Sequence, residues 1–378
     1  MTVHGHHDDR FDRLHDQLAA NIENGEELGA AVAVDLDGET LVDLWGGHAD
    51  VARTVPWEQD TIVNVWSTTK EVTALAVLTL VERGLVDLDE TVTTYWPEFA
   101  KNGKEDVLVR HVMAHTSGVS GWDQPFVVTD MYDWEESTTR LAEQAPWWEP
   151  GTASGYHAMN QGHLLGEIVR RVTGRTLKQY VRDEIAGPLG VDLQIGAGPA
   201  DDDRIAEIVP PPPLAIDPSQ IDLESPMART FMGPVADASA ANTIAWRRAD
   251  LGALNGHTNA RALVRTFSVI SRGGEVDGVR LLSGATIDRI FEEQARGVDL
   301  VLGVPLRFGI GFALPEPATV PYIPDERICF WGGWGGSLTI MVPERRLTIS
   351  YVMNKMAPGI IGSDRAAGYV TEILDALA

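Results

Sequence analysis

β-Favouring runs stand at both ends of this chain and helical patterns fill its middle, and this distribution constrains the fold more than any other feature of the sequence. Residues 28–35 and 40–45 are short runs of apolar and β-branched residues parted by Asp37-Gly38, a hairpin turn signal. A third run covers 62–65. Comparable runs return only at 306–313, 328–331, 337–342 and 347–353. Strands placed so far apart must pair across the length of the chain. The expected fold is therefore α+β, an α/β sandwich in which one antiparallel sheet is assembled from the N- and C-terminal segments, flanked by helices and interrupted by a helical insertion. Residues 1–84 and 196–378 would form the sheet domain and 85–195 a mostly helical domain, with the active site at their junction. At 378 residues and 44% hydrophobic, the chain can bury the core this requires.

The helical periods are explicit. Phe11, Leu14, Leu18 and Ile22 recur every three or four residues, which predicts a helix over 10–23. From 67 to 83 apolar helix formers lie on most sides, the pattern of a buried helix, and Gly84 is placed to cap its C-terminus. Leu164, Leu165, Ile168, Val169 and Val172 share one face of a helix over 162–172 that Gly174 ends. Further helices are expected at 258–273, 284–294 and 363–377, and no convincing alternating strand occurs within 85–195. The stretch 196–245 carries Asp201-Asp202-Asp203, Pro210 to Pro213 and Pro218, so it is expected to be a long loop lying over the site.

Fifty-five acidic against 30 basic residues give a formal charge of -25, which repels nucleic acid and anionic membranes. The longest apolar stretches, such as 74–81, fall far short of the roughly 20 residues that span a bilayer. Residues 1–10 have neither a basic nor an apolar signal region, so a cytoplasmic location is expected. His4, His6, His7, Asp8 and Asp9 are expected to form a mobile tail. With Cys329 alone, neither an intrachain disulfide nor a cysteine-rich metal cluster can form. No phosphate-binding glycine loop or cofactor fingerprint is present, and no cofactor or metal is expected.

Ser67-Thr68-Thr69-Lys70 carries the chemistry. Residues three apart on a helix share a face, so the lysine amine can reach the serine hydroxyl. Burial among Val63, Val65, Trp66, Val72, Ala74 and Leu75 would lower the lysine pKa, which a base requires. Ser67 also falls where a strand ends and a helix begins, so its backbone N–H can face a developing oxyanion. Alternatively, Ser67 only N-caps the helix; with 14 serines and five lysines in the chain, about 0.2 such pairs arise by chance, so the pair needs company to carry weight. Tyr156, in the loop Trp147-Trp148-Glu149-Pro150-Gly151-Thr152-Ala153-Ser154-Gly155-Tyr156-His157, could share proton transfer, or pack as a structural phenol. Phe330-Trp331-Gly332-Gly333-Trp334-Gly335-Gly336-Ser337 could let a strand edge approach a ligand, or be a bent edge strand. His115, His157, His163 and His257 read as structural, with His157 the one to watch beside Tyr156. No Gly-x-Ser-x-Gly elbow occurs, which removes the main signal of an α/β-hydrolase.

Together the Ser-x-x-Lys pair, the later tyrosine and the C-terminal glycine-rich strand resemble the serine β-lactamase and penicillin-binding protein superfamily. His115-Thr-Ser-Gly118, Glu149-Pro-Gly151, the run from Tyr156 to Gly174 and Tyr351-Val-Met-Asn354-Lys355 are similar to its class C branch and esterase relatives. The resemblance spans about residues 10 to 377 and implies a β-lactamase/transpeptidase-like fold. Two departures bear on substrate. Ala158 stands where class C β-lactamases have the Asn of Tyr-x-Asn, and Trp331-Gly332-Gly333 stands where they have Lys-Thr-Gly.

The Trp-Gly-Gly form resembles the family VIII carboxylesterases. That resemblance implies a serine esterase acting on short to medium acyl chains through an acyl-enzyme on Ser67, with a small-molecule ester as its partner. It further implies Ser67 as nucleophile, Lys70 as its activator and Tyr156 as shared acid/base. The backbone N–H groups of Ser67 and Trp334 would form the oxyanion hole, and Trp331, Gly332, Gly333, His157 and Trp148 would line the substrate site. The competing readings are a β-lactamase or D-alanyl peptidase, an amide or lactone hydrolase, and a catalytically silent binding protein on the same fold.

Overall fold

The computed structural model describes residues 2–212, 222–235 and 237–378. Its strands, in chain order, are β1 Val3–His7, β2 Gly29–Leu36, β3 Glu39–Gly47, β4 Val63–Asn64, β5 Leu193–Ile195, β6 Gly256–Thr258, β7 Glu275–Val276, β8 Val279–Arg280, β9 Ala295–Val298, β10 Pro305–Phe308, β11 Ala313–Leu314, β12 Cys329–Gly332, β13 Leu338–Val342 and β14 Leu347–Met353. Nine of them form one sheet in the order β1-β3-β2-β14-β13-β12-β11-β10-β9. All pairings within it are antiparallel. The two ends of the chain meet at its centre, where β2 pairs with β14 in the register Val32↔Tyr351. The expected antiparallel sheet is therefore present, and with its helices it is the β-lactamase/transpeptidase-like arrangement.

Alternation along β14 sorts the layers. Thr348 bonds Ser268 and Ser271 of the Ala260–Ser271 helix. Tyr351 points the other way and stacks on Tyr369 of the Asp364–Ala376 helix. That helix packs with Asp12–Glu23, so the terminal helices cover one face together. Buried Glu27 fastens them: Tyr351 and Tyr369 both donate to its Oε1, at 2.5 and 3.2 Å, and Arg365 bonds its Oε2 at 2.5 Å.

On the opposite face lies the Thr69–Glu82 helix, in which every residue from Thr69 to Leu80 is buried. It packs against the Gln161–Thr173 and Leu177–Val181 helices, and Ala74 meets Gly311 on the sheet side. A helix enclosed in this way has no polar stripe to show, which explains why its sequence is apolar all round.

Several expectations need correction. Val3–His7 is the edge strand β1, paired with β3 from Val3↔Gly46 to His7↔Val42, and is not a mobile tail; its alternation of small and imidazole side chains hid a strand held by backbone bonds. The run 306–313 is broken after Phe308, because Gly309 and Gly311 make a tight turn in which Gly309 N–H bonds Phe312 O. The helix placed at 284–294 stops at Ile290. Residues 193–195 form β5, in a small sheet of order β4-β6-β5. The helix placed at 258–273 runs from Ala260 to Ser271, because Gly256–Thr258 is β6 and Asn259 caps the helix, its Oδ1 accepting from Ala262 N–H at 2.9 Å. Within 196–245 the structure has short helical pieces, Pro199–Arg204, Pro226–Met232, Ala238–Asn242 and Ile244–Arg248. Pro213 and Pro218 lie outside the described residues.

Candidate active site

The turn between β4 and the Thr69–Glu82 helix sets the position of Ser67. Trp66 adopts φ +49, a left-handed backbone uncommon for a bulky residue, and so reverses the chain just before the serine. Its indole is wedged between Trp334 and Trp246, with ring centroids 5.2 and 5.4 Å away. The helix proper starts at Thr69, after Thr69 N–H bonds Trp66 O and Lys70 N–H bonds Ser67 O, both at 2.9 Å. Ser67 therefore precedes the helix, and its Oγ caps no N–H among the described residues.

Lys70 is fully buried, and its Nζ lies 2.9 Å from Ser67 Oγ, 2.7 Å from Ala158 O and 2.9 Å from Ala253 O. Burial drives its pKa well below the ordinary 10.5. A neutral amine has two hydrogens and one lone pair. In that form the two carbonyls would accept the hydrogens and the lone pair would face the Ser67 hydroxyl.

Tyr156 lies over the lysine, with Nζ 4.8 Å from the ring centroid. Burial pushes the phenol pKa up, and the hydrogen bond from Trp331 opposes that rise. Trp331 Nε1–H donates to the Tyr156 oxygen at 2.9 Å.

The glycine-rich strand closes the third side. Ser337 Oγ donates to Val65 O at 2.8 Å and stands 3.1 Å from Thr68 Oγ1, joining the start of β13 to the serine turn. Gly333 fits beneath this junction because a Cβ there would strike Val65 O and Ser337 Oγ. Neither Ser67 N–H nor Trp334 N–H has an acceptor among the described residues.

The structure thus gathers Ser67, Lys70, Tyr156, Trp331, Gly332, Gly333 and Trp334. It places His157 and Trp148 differently. His157 is fully buried; its Nδ1 is 2.7 Å from Gly155 O and its Nε2 2.6 Å from Ser117 Oγ, and burial takes its pKa down to about 4. Trp148 donates Nε1–H to Ala153 O at 3.0 Å and packs on Gly155, under the loop that carries Tyr156. His115 is also buried, its ring 4.8 Å from that of Tyr156.

Four neighbours escaped the sequence reading. The carbonyls of Ala158 and Ala253 leave no side-chain signature. Glu71, beside Lys70 in sequence, is fully buried, and neither carboxyl oxygen has a hydrogen-bond partner among the described residues. Asp299 is fully buried behind Tyr156. No group of three or more His, Cys, Asp or Glu among the described residues could hold a metal ion, and no helix among them is long and apolar enough to cross a membrane.

A serine in contact with a buried lysine three residues on, beside a sheet built from both ends of the sequence, is the arrangement of the β-lactamase/transpeptidase-like architecture, and comparison with known proteins agrees. The chain belongs to the beta-lactamase family, whose profile matches residues 12–368. It is 35% identical over 353 residues to the esterase/beta-lactamase LipL of Mycobacterium tuberculosis, covering 90% of this chain and 80% of that protein. A family VIII carboxylesterase crystal structure superposes with TM-score 0.93 at 35% identity, covering 100% of both chains. A penicillin-binding protein homologue from Caulobacter crescentus gives 0.90 at 36% identity, again over 100% of both. The resemblance read from the motifs is borne out.

Proposed function

We propose that this chain is a serine hydrolase of the carboxylesterase type, cleaving short to medium-chain carboxylic esters through an acyl-enzyme on Ser67. The observation that carries the proposal is the Lys70 amine, desolvated and held by two carbonyls with its remaining valence 2.9 Å from Ser67 Oγ. Lys70 takes the Ser67 proton as Oγ attacks the ester carbonyl. Negative charge then develops on the carbonyl oxygen, and the N–H groups of Ser67 and Trp334 are available to receive it. The phenol of Tyr156, kept protonated by burial, gives its proton to the departing alkoxide and regains one from the Lys70 ammonium. Water clears the acyl group by the same steps reversed, giving its proton to the Lys70/Tyr156 pair. In this proposal residues 1–84 with 196–378 and residues 85–195 act as two domains meeting at Ser67, and the protein works in the cytoplasm.

Ester selectivity is supported by what stands around the lysine. The Ala158 side chain offers no amide group, and Trp331 offers an indole where a cation would hold a carboxylate. LipL, whose name joins esterase and beta-lactamase, favours a second reading with some β-lactam turnover. Hydrolysis of p-nitrophenyl acetate, butyrate and octanoate beside nitrocefin, by wild type and Ser67→Ala, tests both. Ester turnover that falls about a thousandfold or more in Ser67→Ala supports the mechanism, and undiminished turnover overturns it. Nitrocefin cleavage at rates comparable to the esters would establish the second reading.

A further inference from the structure

We propose that Asp299 is a positioning residue for Tyr156, an inference that rests on the acid/base reading of that tyrosine. Asp299 follows directly on the edge strand β9 and is fully buried. Its Oδ1 accepts from three backbone N–H groups, those of Tyr156 at 3.0 Å and of Val301 and Leu302 at 2.9 Å. The loop is closed on itself by Asp299 N–H to Val304 O at 3.0 Å and Gly303 N–H to Asp299 O at 2.9 Å. Leu300 N–H adds a second tie, to Ser154 O at 2.8 Å. The side-chain bonds of Asp299 among the described residues are the three to Oδ1 alone, none of them from a Lys, Arg or His side chain, and Oδ2 is buried without a partner. A carboxylate used only to staple its own loop would need the Val301 and Leu302 bonds alone. The bond to Tyr156 reaches across 143 residues to a different element.

The consequence is that Tyr156 is held at both ends. Trp331 holds its hydroxyl and Asp299 holds its peptide N–H, so the phenol has little freedom to slide over Lys70. With the backbone anchor lost, the ring can tilt about the Trp331 bond, and a displacement of about 1 Å at a reacting group can cost up to about a hundredfold in rate. Asp299 touches neither substrate nor Ser67 in this scheme and acts only through the tyrosine.

A double-mutant cycle separates positioning from loop stability. Asp299→Ala, Asp299→Asn, Tyr156→Phe and the combined variants are assayed for kcat and KM on p-nitrophenyl butyrate, with folding monitored by circular dichroism. Asp299→Ala is expected to lower kcat about thirtyfold with KM changed less than about twofold, and Asp299→Asn, which keeps the Oδ1 acceptor, to recover to within about fivefold of wild type. In the Tyr156→Phe background Asp299→Ala should change kcat by less than about threefold, because the group it positions is already gone. Effects of the two substitutions that multiply, or a folded Asp299→Ala with wild-type kcat, overturn the proposal. Should Asp299→Ala fail to fold, Asp299→Asn in both backgrounds runs the same cycle, with an expected drop of about fivefold or less in kcat that vanishes when Tyr156 is Phe. Tyr156→Phe with wild-type kcat would instead remove the acid/base reading itself, an outcome distinct from the loss of Asp299 alone.

Discussion

Trp331 and Tyr156, 175 positions apart in sequence, are joined by a single hydrogen bond of 2.9 Å from the indole N–H to the phenol oxygen. The bond lies between a sheet strand and a loop of the helical region. Trp331→Phe keeps the aromatic packing on Tyr156 and Phe308 but removes the donor. We expect kcat/KM to fall about fivefold, the rate equivalent of ~1 kcal/mol, with little change in Tm. Steady-state kinetics beside a thermal melt checks this.

The pH profile should report Lys70. The lysine is a base only when neutral, so activity is lost as pH falls through its depressed pKa, and the acid limb lies well below 10.5. Burial also lowers the pKa of His157, to about 4, and of His115, so His157→Gln and His115→Gln serve as controls, and neither should move the limb if Lys70 sets it. Lys70→Arg, which cannot lose its proton, should abolish turnover at every pH tested. Measuring kcat/KM across the range in which the fold persists decides the matter.

Gly333→Ala tests how tightly the strand is set beneath the serine. The added methyl meets Val65 O and Ser337 Oγ, neither of which can retreat without moving the turn that carries Ser67. Overpacking of this kind costs about 1–3 kcal/mol. Both Tm and kcat should drop, whereas Gly84→Ala, whose Cβ meets nothing within 4 Å, should disturb stability through its φ of +66 and leave kcat unchanged. Parallel melts and rates distinguish the two.

Glu71 gives a stability prediction. Burial raises its pKa well above 4.5. A raised pKa means that the folded state binds the proton more tightly, so the group's contribution is complete below 4.5 and is lost as pH rises through the elevated value. Glu71→Gln never ionises and should be free of that loss. The stability of wild type relative to Glu71→Gln should therefore fall with rising pH above 4.5, by up to about 1.4 kcal/mol per pH unit. Chemical denaturation of both proteins at several pH values would reveal a flat difference if the carboxyl is ionised throughout.

How much of this could be read in advance depended on whether side chains or backbone performed the task. Continuous apolar runs exposed the Thr69–Glu82 helix, the hairpin β2–β3 and β12 to β14 because these elements lie mostly or wholly buried, and length with β-branched content told strand from helix. Ser67, Lys70 and Tyr156 were expected together, the first two from their Ser-x-x-Lys spacing and the third from the family resemblance, and the structure brings them into contact. The edge strands β1 and β9 were missed because Val3–His7 and Ala295–Val298 join the sheet by main-chain bonds and leave most side chains exposed. The same blindness hid the Ala158 and Ala253 carbonyls. Asp299 was out of reach for a different reason: a lone acid between Val298 and Leu300 matches no motif and shows no partner until the fold brings Tyr156 to it.

The pairing of β2 with β14 also has a consequence in time. During synthesis β2, the Ser67 turn and the lysine helix leave the ribosome long before Leu347–Met353, the strand that must lie between β2 and β13. Until then Ser67 stands beside a sheet that lacks its central strand, and neither Trp331 nor Gly333 can be set against it. Completion of the proposed site is thus deferred until Leu347–Met353 has been made, and the same late strand that finishes the core also sets the site's parts against one another.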